Sequence, residues 1–340
     1  MSFNRLEADD FVVSADSITA GIFTDSQIPE ITTFFTSSTQ RLSTSGDYYR
    51  NIFSNAATSS LEFAVTYGNE LGSGSIAYDL NVDGKSPSST VYGQYRTLVL
   101  GDENADFTFG STTSEDFWAI SMERNRYKES IFPGSTTLLL ENGGDTISLT
   151  DDSQVASSVV FNDAGRVFQL VSGSAGNVVT SLESNGYSIG SGSYGLFLPD
   201  IATYILNPRA LANTFVNGGI ELDAITTSAL TITNNPNTNI IFKSIRSGAS
   251  FTANSEETIT SDFVFVRPRS SQFNYSENPS FISGSTGEVL FPSFINSPTT
   301  YITTVGLYND TNELLAVAKL SRPLEKDFTK EALVRVKLDF

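Results

Sequence analysis

The residue types that carry out most nucleophilic and metal-assisted catalysis are missing from this chain, which has neither histidine nor cysteine. Without cysteine there is no disulfide, no thiol nucleophile and no cysteine-ligated metal site. Without histidine there is no imidazole base, no Ser-His-Asp or Cys-His triad, and no zinc site that uses histidine. Carboxylates remain as candidates, because the chain has 38 Asp and Glu residues.

Carboxylates occur as adjacent pairs at Asp9-Asp10, Asp151-Asp152 and Glu256-Glu257. Cleavage of a glycosidic bond needs two carboxyl groups that face each other across a cleft. Adjacent residues of a strand point to opposite faces of a sheet. We therefore interpret these pairs as solvated turn or capping residues and predict no catalytic residue.

Two short motifs match known binding patterns only in part. Residues 190–195 (GSGSYG) fit the nucleotide pattern G-x-G-x-x-G, but that pattern should open a helix, and Pro199 excludes a long one. Residues 79–84 (DLNVDG) match the first half of a calcium loop, but its twelfth position, Thr90, should be a glutamate. We predict a Gly/Ser surface loop and a hairpin turn, with no cofactor and no metal.

Aromatic residues cluster in several places along the chain. A sugar-binding platform would expose such rings, whereas a protein core or a subunit interface buries them, and the second use is more common. We therefore predict core or interface positions for Tyr48, Tyr49, Tyr92, Tyr95, Phe107, Phe109, Phe117 and Trp118.

The charge balance disfavours several classes of partner. With 20 Lys and Arg residues against its 38 acids, the chain has a net charge of −18 and repels both phosphate backbones and anionic lipid. It contains no run of 18 apolar residues and starts without a signal segment, so we expect no membrane segment. A basic spot at Arg124, Arg126 and Lys128, next to Tyr127, is predicted to pair with carboxylates of this chain or of a neighbour.

Strand patterns dominate, because short apolar or alternating runs are separated by Gly, Asn, Asp, Ser and Pro. The fold is therefore predicted to be mainly β, with β-sandwich-like domains. The predicted strands include 61–68, 89–101, 105–110, 117–122, 135–141, 156–161, 165–173, 230–234, 239–245 and 262–268. Of these, 165–173 is predicted to be a strand that is buried on both faces for part of its length. Hairpin turns are predicted at Asn142–Asp145 and at Asp83-Gly84.

Helices are predicted to be few and short. Residues 121–131 contain good helix formers and are followed by Pro133-Gly134. Residues 208–215 begin with Asn207 as a cap and Pro208 in the first turn. Residues 323–332 could form one or two helical turns.

Three regions are expected along the chain. Residues 1–268 form a β-rich main body, with two subdomains and a boundary near 150–200 as an alternative. Residues 269–300, rich in Ser, Asn and Pro, form an extended arm or connection. Residues 301–340 form a C-terminal β unit in which 302–310 and 312–320 make a strand-turn-strand and 334–340 is a half-buried strand. Residues 319–340 hold six basic and four acidic residues, a local excess of positive charge.

Several stretches resemble virion structural proteins of large contractile-tailed phages that infect cyanobacteria. The last of them is also similar to a module of tail-fibre and collar-type proteins. The stretches are FNRLEADDFVVSADSIT (3–19), TTFFTSSTQ (32–40), SGDYY (45–49), YGQYRTLVLGDENADFTFG (92–110), RYKESIFPGS (126–135), YGLFLPD (194–200) and ITTVGLYNDTNELLAVAKLSRPLEKDFTKEALVRVKLDF (302–340).

This resemblance implies a non-enzymatic component of a tailed-phage virion, in the tail, the baseplate or the fibre-attachment region. Its partners would be other tail, baseplate or neck proteins and further copies of itself, in a particle assembled in the host cytoplasm. No nucleic acid, membrane or small-molecule substrate is expected. The alternative is a carbohydrate-binding or depolymerising fibre-type β protein that recognises host polysaccharide. A secreted bacterial surface protein is a third option, which the missing signal segment disfavours.

Overall fold

The computed structural model describes residues 10–14, 36–37, 48–53, 60–76, 86–127, 129–179, 193–226, 235–257, 261–276 and 279–339. Of these residues, 42% lie in strands and 18% in helices, and the strands of the largest sheet are antiparallel. The prediction of a mainly β fold with few short helices is confirmed.

The strands alternate along the chain with four short α-helices. The helices are α1 (Pro87–Leu100), α2 (Pro208–Leu211), α3 (Pro236–Gly248) and α4 (Pro292–Asn296). The strands are β1 (Phe11–Ser14), β2 (Thr36–Ser37), β3 (Tyr49–Phe53), β4 (Leu61–Asn69), β5 (Phe107–Phe109), β6 (Thr112–Ser114), β7 (Asp116–Met122), β8 (Ser130–Ile131), β9 (Thr137–Asn142), β10 (Asp145–Asp151), β11 (Val160–Asn162), β12 (Gly165–Ser174), β13 (Asn177–Val178), β14 (Gly195–Leu198), β15 (Thr203–Leu206), β16 (Ser250–Thr252), β17 (Ser255–Glu256), β18 (Ser261–Val266), β19 (Thr300–Tyr308), β20 (Leu314–Lys326) and β21 (Val334–Asp339).

The chain forms two compact units. The large unit is Thr19–Glu257, and the small unit combines Met1–Ile18 with Thr258–Phe340. The sequence placed 1–268 in a single body, whereas here residues 1–18 and 258–268 belong with the C-terminal residues. Strand pairing explains the difference, because β18 lies between β1 and β21 in one sheet.

The large unit is built on one long antiparallel sheet. Its strand order is β16-β9-β10-β12-β14-β15-β7-β4-β3-β2, with β11 and β13 paired to β12. Although seven places separate β16 from β4 in this order, the rings of Phe251 and Phe63 are 5.6 Å apart. The sheet therefore curls around an apolar cluster that its two halves share.

Each face of this sheet carries its own apolar cluster. Trp118 and Ile120 of β7 belong to one cluster, and Phe117 and Ala119 of the same strand belong to the other. Helix α3 contributes to the first cluster and α1 to the second. The central strands are therefore buried on both sides, as predicted for 165–173, where β12 has Phe168 in one cluster and Val167 in the other.

Two segments predicted as strands are helices. Helix α1 covers nearly all of 89–101 and begins at Pro87. Ser86 and Ser89 form a reciprocal capping box at its start, and Gly101 ends the helix with a left-handed φ of 66°. Helix α3 contains all of 239–245, and the Asn235 side chain accepts a hydrogen bond from the amide of Thr238 at its start. These caps, and burial of one face against the sheet, outweigh the strand propensity of the Val, Ile and Tyr residues.

Of the three predicted helices, two are wrong and one is confirmed in part. Residues 121–131 contain the end of β7, a single 3-10 turn at Arg124–Arg126 and β8, so the helix prediction is wrong. Residues 323–332 are also not helical, because β20 continues to Lys326 in pairing with β19. At 208–215 the helix is confirmed in its first turn, where the Asn207 side chain accepts from the amide of Arg209, but α2 ends at Leu211.

The hairpin predicted at Asn142–Asp145 is confirmed. These two residues pair at the ends of β9 and β10, and the two glycines between them have φ of 64° and 100°. Both angles are positive, as a tight two-residue hairpin turn requires. The predicted strand 230–234 and the predicted turn at Asp83-Gly84 lie outside the described residues.

The small unit contains the three-stranded sheet β1-β18-β21 and the long hairpin β19–β20. The predicted strand-turn-strand and the final half-buried strand are confirmed as β19–β20 and β21. In the segment predicted as an extended arm, the described residues form turns, one isolated bridge between Ile282 and Val289, and α4. Contacts among the rings of Phe281, Phe291 and Phe294 fold it locally.

Candidate functional site

The acidic pair Asp151-Asp152 is buried, contrary to the prediction that it is solvated. Asp151 accepts the amide of Gly134 at 2.8 and 3.0 Å, and Asp152 accepts the amide of Gln169 at 2.8 Å. Burial raises the pKa of both carboxyl groups above the ordinary value. Their acceptor sites are used to hold neighbouring backbone, which is a structural role.

Glu256 is likewise buried rather than solvated. Its carboxylate accepts from two nitrogens of Arg166, at 2.7 and 3.2 Å, and from the hydroxyl of Ser130 at 2.8 Å. Arg166 also donates to Asp200. The next residue, Glu257, is half-buried. This network joins β8, β12 and β17 rather than facing a cleft.

The other motifs give no ligand site within the described residues. Of the nucleotide-like pattern, 190–192 lies outside those residues, and Gly195 opens a strand rather than a helix. The calcium-like residues 79–84 and Asp9 also lie outside, while Thr90 is in α1. In the described part of the chain, no three acidic side chains cluster closely enough to hold a metal ion. None of the helices described is long and apolar enough to cross a membrane.

Most of the clustered aromatic residues are core residues, as predicted. Tyr92, Phe107 and Phe117 pack with ring centroids 4.9 to 5.5 Å apart, and Trp118 is fully buried. Tyr49, by contrast, is exposed. The other rings are buried or partly buried, and Tyr49 is 39% exposed.

The basic spot at 124–128 pairs with the chain's own groups. Arg126 forms an ion pair with buried Glu62, and the guanidinium of Arg124 lies 4.8 Å from the ring centre of Tyr127. The prediction of internal pairing is therefore confirmed for Arg126. Lys128 lies outside the described residues.

The small unit exposes an unusual amount of apolar surface. It holds about a third of the described residues but 11 of the 21 exposed large apolar side chains. Several of these lie on the outward face of the β19–β20 hairpin, where Tyr301, Leu315 and Val317 are 62%, 68% and 58% exposed. We call this set, together with Tyr308, the outer face of the hairpin.

The opposite side of the hairpin packs only loosely. The apolar cluster of the small unit has three buried members, Val264, Val334 and Val336. The hairpin contributes side chains that are only partly buried, among them Val305, Leu307 and Leu324. A long two-stranded hairpin is marginal in water without a packed face. The apolar side chains of the hairpin are therefore only partly covered by the described residues of the small unit.

The basic residues of this unit are used mostly within it. The ammonium of Lys326 is buried and donates to the Ser270 and Asp327 carbonyls and to the Asn274 side chain, at 2.8 to 2.9 Å. Lys330 and Lys337 pair with nearby carboxylates, and Arg335 lies over the ring of Phe263. Of the six basic residues in 319–340, Lys319 and Arg322 remain exposed on β20 without an ion pair to the described residues.

One groove in the large unit has a mixed lining. It has a volume of about 350 Å³ and is bordered by β10, β12 and residues 215–219. Phe215 is 38% exposed at its wall, and Thr146, Ser174 and Asn177 supply polar side chains. The Ser172 hydroxyl is buried there and has no hydrogen-bond partner among the described residues.

Neither the outer face of the hairpin nor the groove was predicted from the sequence. The sequence LLAVAKL (314–320) does indicate the exposed apolar face of the hairpin. Its apolar residues occur at both odd and even positions, whereas a strand with one solvated face needs them at alternate positions only. The groove has no local signal, because its walls come from segments far apart in the chain. The chain matches no protein-family model, no curated protein and no solved structure.

Proposed function

We propose that this chain is a non-enzymatic structural component of a tailed-phage virion, in the tail, baseplate or fibre-attachment region. Its role would be protein–protein assembly. The virion assignment is supported by the sequence stretches that resemble such proteins. The assembly role is supported by the geometry of the small unit.

The observation that carries the assembly role is the exposed outer face of the β19–β20 hairpin. Contiguous apolar patches on a monomeric protein are usually small, and larger ones mark interaction sites. Covering apolar surface gains about 25 cal/mol per Å². A specific interface needs at least about 1,000 Å². Aromatic residues such as Tyr301 and Tyr308 are of a type enriched at such interfaces.

The available chemistry is consistent with a binding role. The chain lacks histidine and cysteine, and its buried acidic side chains at 151, 152 and 256 are engaged in holding backbone and Arg166. A net charge of −18 would keep unassembled copies soluble.

Purified particles test the virion assignment. Density-purified virions of the phage that encodes the chain should contain it in a constant ratio to the other structural proteins, by quantitative mass spectrometry. Antibodies against it should label the tail in electron micrographs. Abundance in infected cells together with absence from purified virions would overturn the proposal.

A matched pair of variants tests the assembly surface. Leu315→Glu places a charge on the outer face of the hairpin, whereas Leu71→Glu does the same at a site of the large unit that is 72% exposed. In a phage that lacks the gene, complementation with Leu315→Glu should reduce incorporation roughly tenfold or more, and Leu71→Glu should incorporate normally. Equal incorporation of both would exclude this face as the contact.

A second candidate function, binding of a saccharide, is favoured by the groove at Phe215. An exposed ring beside hydroxyl and amide groups is a suitable surface for a sugar, which offers apolar faces and hydroxyls. Host polysaccharide titrated into the purified protein tests it by calorimetry. Phe215→Ala should abolish binding, and Val216→Ala, at a neighbouring exposed site, should retain it. Absence of any heat of binding would eliminate this candidate.

A further inference from the structure

Among the strands that the structure describes, β19 has one paired edge and one open edge. It pairs with β20 on one side, and no other strand of the described residues pairs with it. An open edge presents unpaired amide and carbonyl groups, which can bind a further strand. Natural proteins usually protect such edges with lysine, proline, bulges or a covering element.

The two strands of the hairpin differ in this protection. Strand β20 carries Lys319, Arg322, Pro323 and Glu325. Strand β19 reads TYITTVGLY, with no charge and no proline, and is rich in β-branched and aromatic residues of high strand propensity. Its residues Tyr301, Thr303 and Thr304 are exposed. Apart from the register irregularities next to Thr303 and Tyr308, the open edge of β19 therefore lacks the usual devices that prevent pairing.

We propose that β19 pairs antiparallel with β19 of a second copy of this chain, giving a continuous sheet β20-β19-β19-β20 across a two-fold axis. This inference rests on the proposed assembly function. It identifies a second copy of this chain as the first partner to bind. An isologous two-fold contact is the commonest way in which identical chains associate.

The register of β19 is self-complementary. Its pairing with β20 places Thr300, Ile302, Val305 and Leu307 on the inward face, and the irregularity after Ile302 shifts the alternation. The Thr303 and Thr304 hydroxyls lie 3.5 Å apart, which places both on the exposed side.

With a two-fold axis between Thr303 and Thr304, every pair of opposite residues shares a face. Ile302 then faces Val305 of the second copy, and Thr303 faces Thr304. Threonine pairs and β-branched apolar pairs of this kind stabilise neighbouring strands. A register shifted by one residue would place inward residues opposite outward ones.

Charge also favours this edge for contact between two copies. The large unit holds 25 acidic and 11 basic residues, so two copies repel each other over that surface. The nine residues of β19 carry no charge, and pairing there brings no like charges together along the strand. The paired sheet would place the outer faces of the two hairpins side by side, with the exposed Thr303 and Thr304 at their junction.

A single cysteine tests the pairing directly, because the natural chain has none. Thr303→Cys places two sulfur atoms next to the axis, at a Cα separation of about 6 Å, which a disulfide spans. Mild oxidation should give a covalent dimer on non-reducing gels. Ser321→Cys, at an exposed site of β20, is the matched control and should remain monomeric. Equal cross-linking of both variants would overturn the proposal.

A charge variant gives a second readout that does not depend on oxidation. Thr303→Lys with Thr304→Lys should raise the dimer dissociation constant roughly tenfold or more, measured by sedimentation, while the circular dichroism spectrum stays unchanged. Ser321→Lys should leave the dimer intact. A wild-type protein that is monomeric at its highest soluble concentration contradicts the inference.

The two proposals can fail separately. If Leu315→Glu blocks incorporation into virions but Thr303→Cys gives no dimer, the assembly role stands and the self-pairing is wrong. If Thr303→Cys forms the dimer but the chain is absent from purified virions, the self-pairing stands and the virion role is wrong.

Discussion

Arg166 and Glu256 form a bidentate ion pair in the large unit, with nitrogen–oxygen distances of 2.7 and 3.2 Å. The two residues are 90 positions apart in sequence and come from β12 and β17. Asp200 accepts from the same guanidinium at 2.6 and 3.0 Å. The arginine therefore ties β17, near the end of the large unit, to the middle of its sheet.

Replacing Arg166 should destabilise the large unit. In Arg166→Met, buried Glu256 loses its cation, which costs about 3 kcal/mol of unfolding free energy. Arg166→Lys keeps the positive charge, so it should lose less unfolding free energy than Arg166→Met. It should still be less stable than wild type, because lysine cannot make the bidentate contact. Urea unfolding measures both values. Exposed Arg246→Met should stay within about 0.5 kcal/mol of wild type, and an equally small effect at 166 would contradict a stabilising role.

Asp151 should make folding more favourable at acidic pH. Burial raises the pKa of its carboxyl group in the folded chain above the ordinary 3.8, so the folded chain holds this proton more tightly than the unfolded chain. The stabilisation is present below the unfolded pKa and is lost as pH rises through the folded pKa.

The variant Asp151→Asn removes this titration. Its unfolding free energy relative to wild type should therefore increase between about pH 4 and pH 7, measured by urea unfolding at several pH values. Exposed Asp223→Asn is the control for loss of one charge. A relative stability that decreases with pH for Asp151→Asn would contradict the assigned sign.

The sequence identified several strands of the sheet correctly but assigned two helices as strands. Runs such as 61–68 and 117–122 have strand propensity and are buried in the sheet, so local preference and tertiary context agree. In 89–101 and 239–245 they disagree. The Asn-Pro start recognised at 207–208 also occurs at 235–236, and the same capping argument would have identified α3.

The candidate sites were less predictable than the fold. Whether Asp151 or Glu256 is solvated depends on Gly134, Arg166 and other residues that only folding brings near. The outer face of the hairpin depends on which face of β20 packs against the apolar cluster. A strand with apolar residues on both faces does not specify which face that is. Both questions concern long-range contacts, which local periodicity does not determine.

Two helical glycines should respond in opposite ways to the same substitution. A Cβ at Gly248, at the end of α3, would collide with the carbonyl oxygen of Leu139 in β9. A Cβ at Gly93, inside α1, would meet nothing within 4 Å. Gly248→Ala should lower the unfolding free energy by about 2–3 kcal/mol, because the helix must move off the sheet. Gly93→Ala should raise it by about 0.5–1 kcal/mol. Thermal and urea unfolding measure both, and equal effects would contradict the close approach of α3 to β9.

Lys326 should stabilise the base of the β19–β20 hairpin. Its buried ammonium donates to two carbonyls and one side-chain amide, and it lies opposite Thr300 at the start of β19. Lys326→Met leaves these acceptors with fewer donors, at a cost of about 2 kcal/mol, and should open the hairpin base. Limited proteolysis should then cut within 270–330 several times faster than in wild type. Exposed Lys319→Met removes the same charge from the same strand and should leave the cutting rate unchanged. Equal rates for the two variants would show that positive charge, rather than the buried hydrogen bonds, sets the stability of the hairpin base.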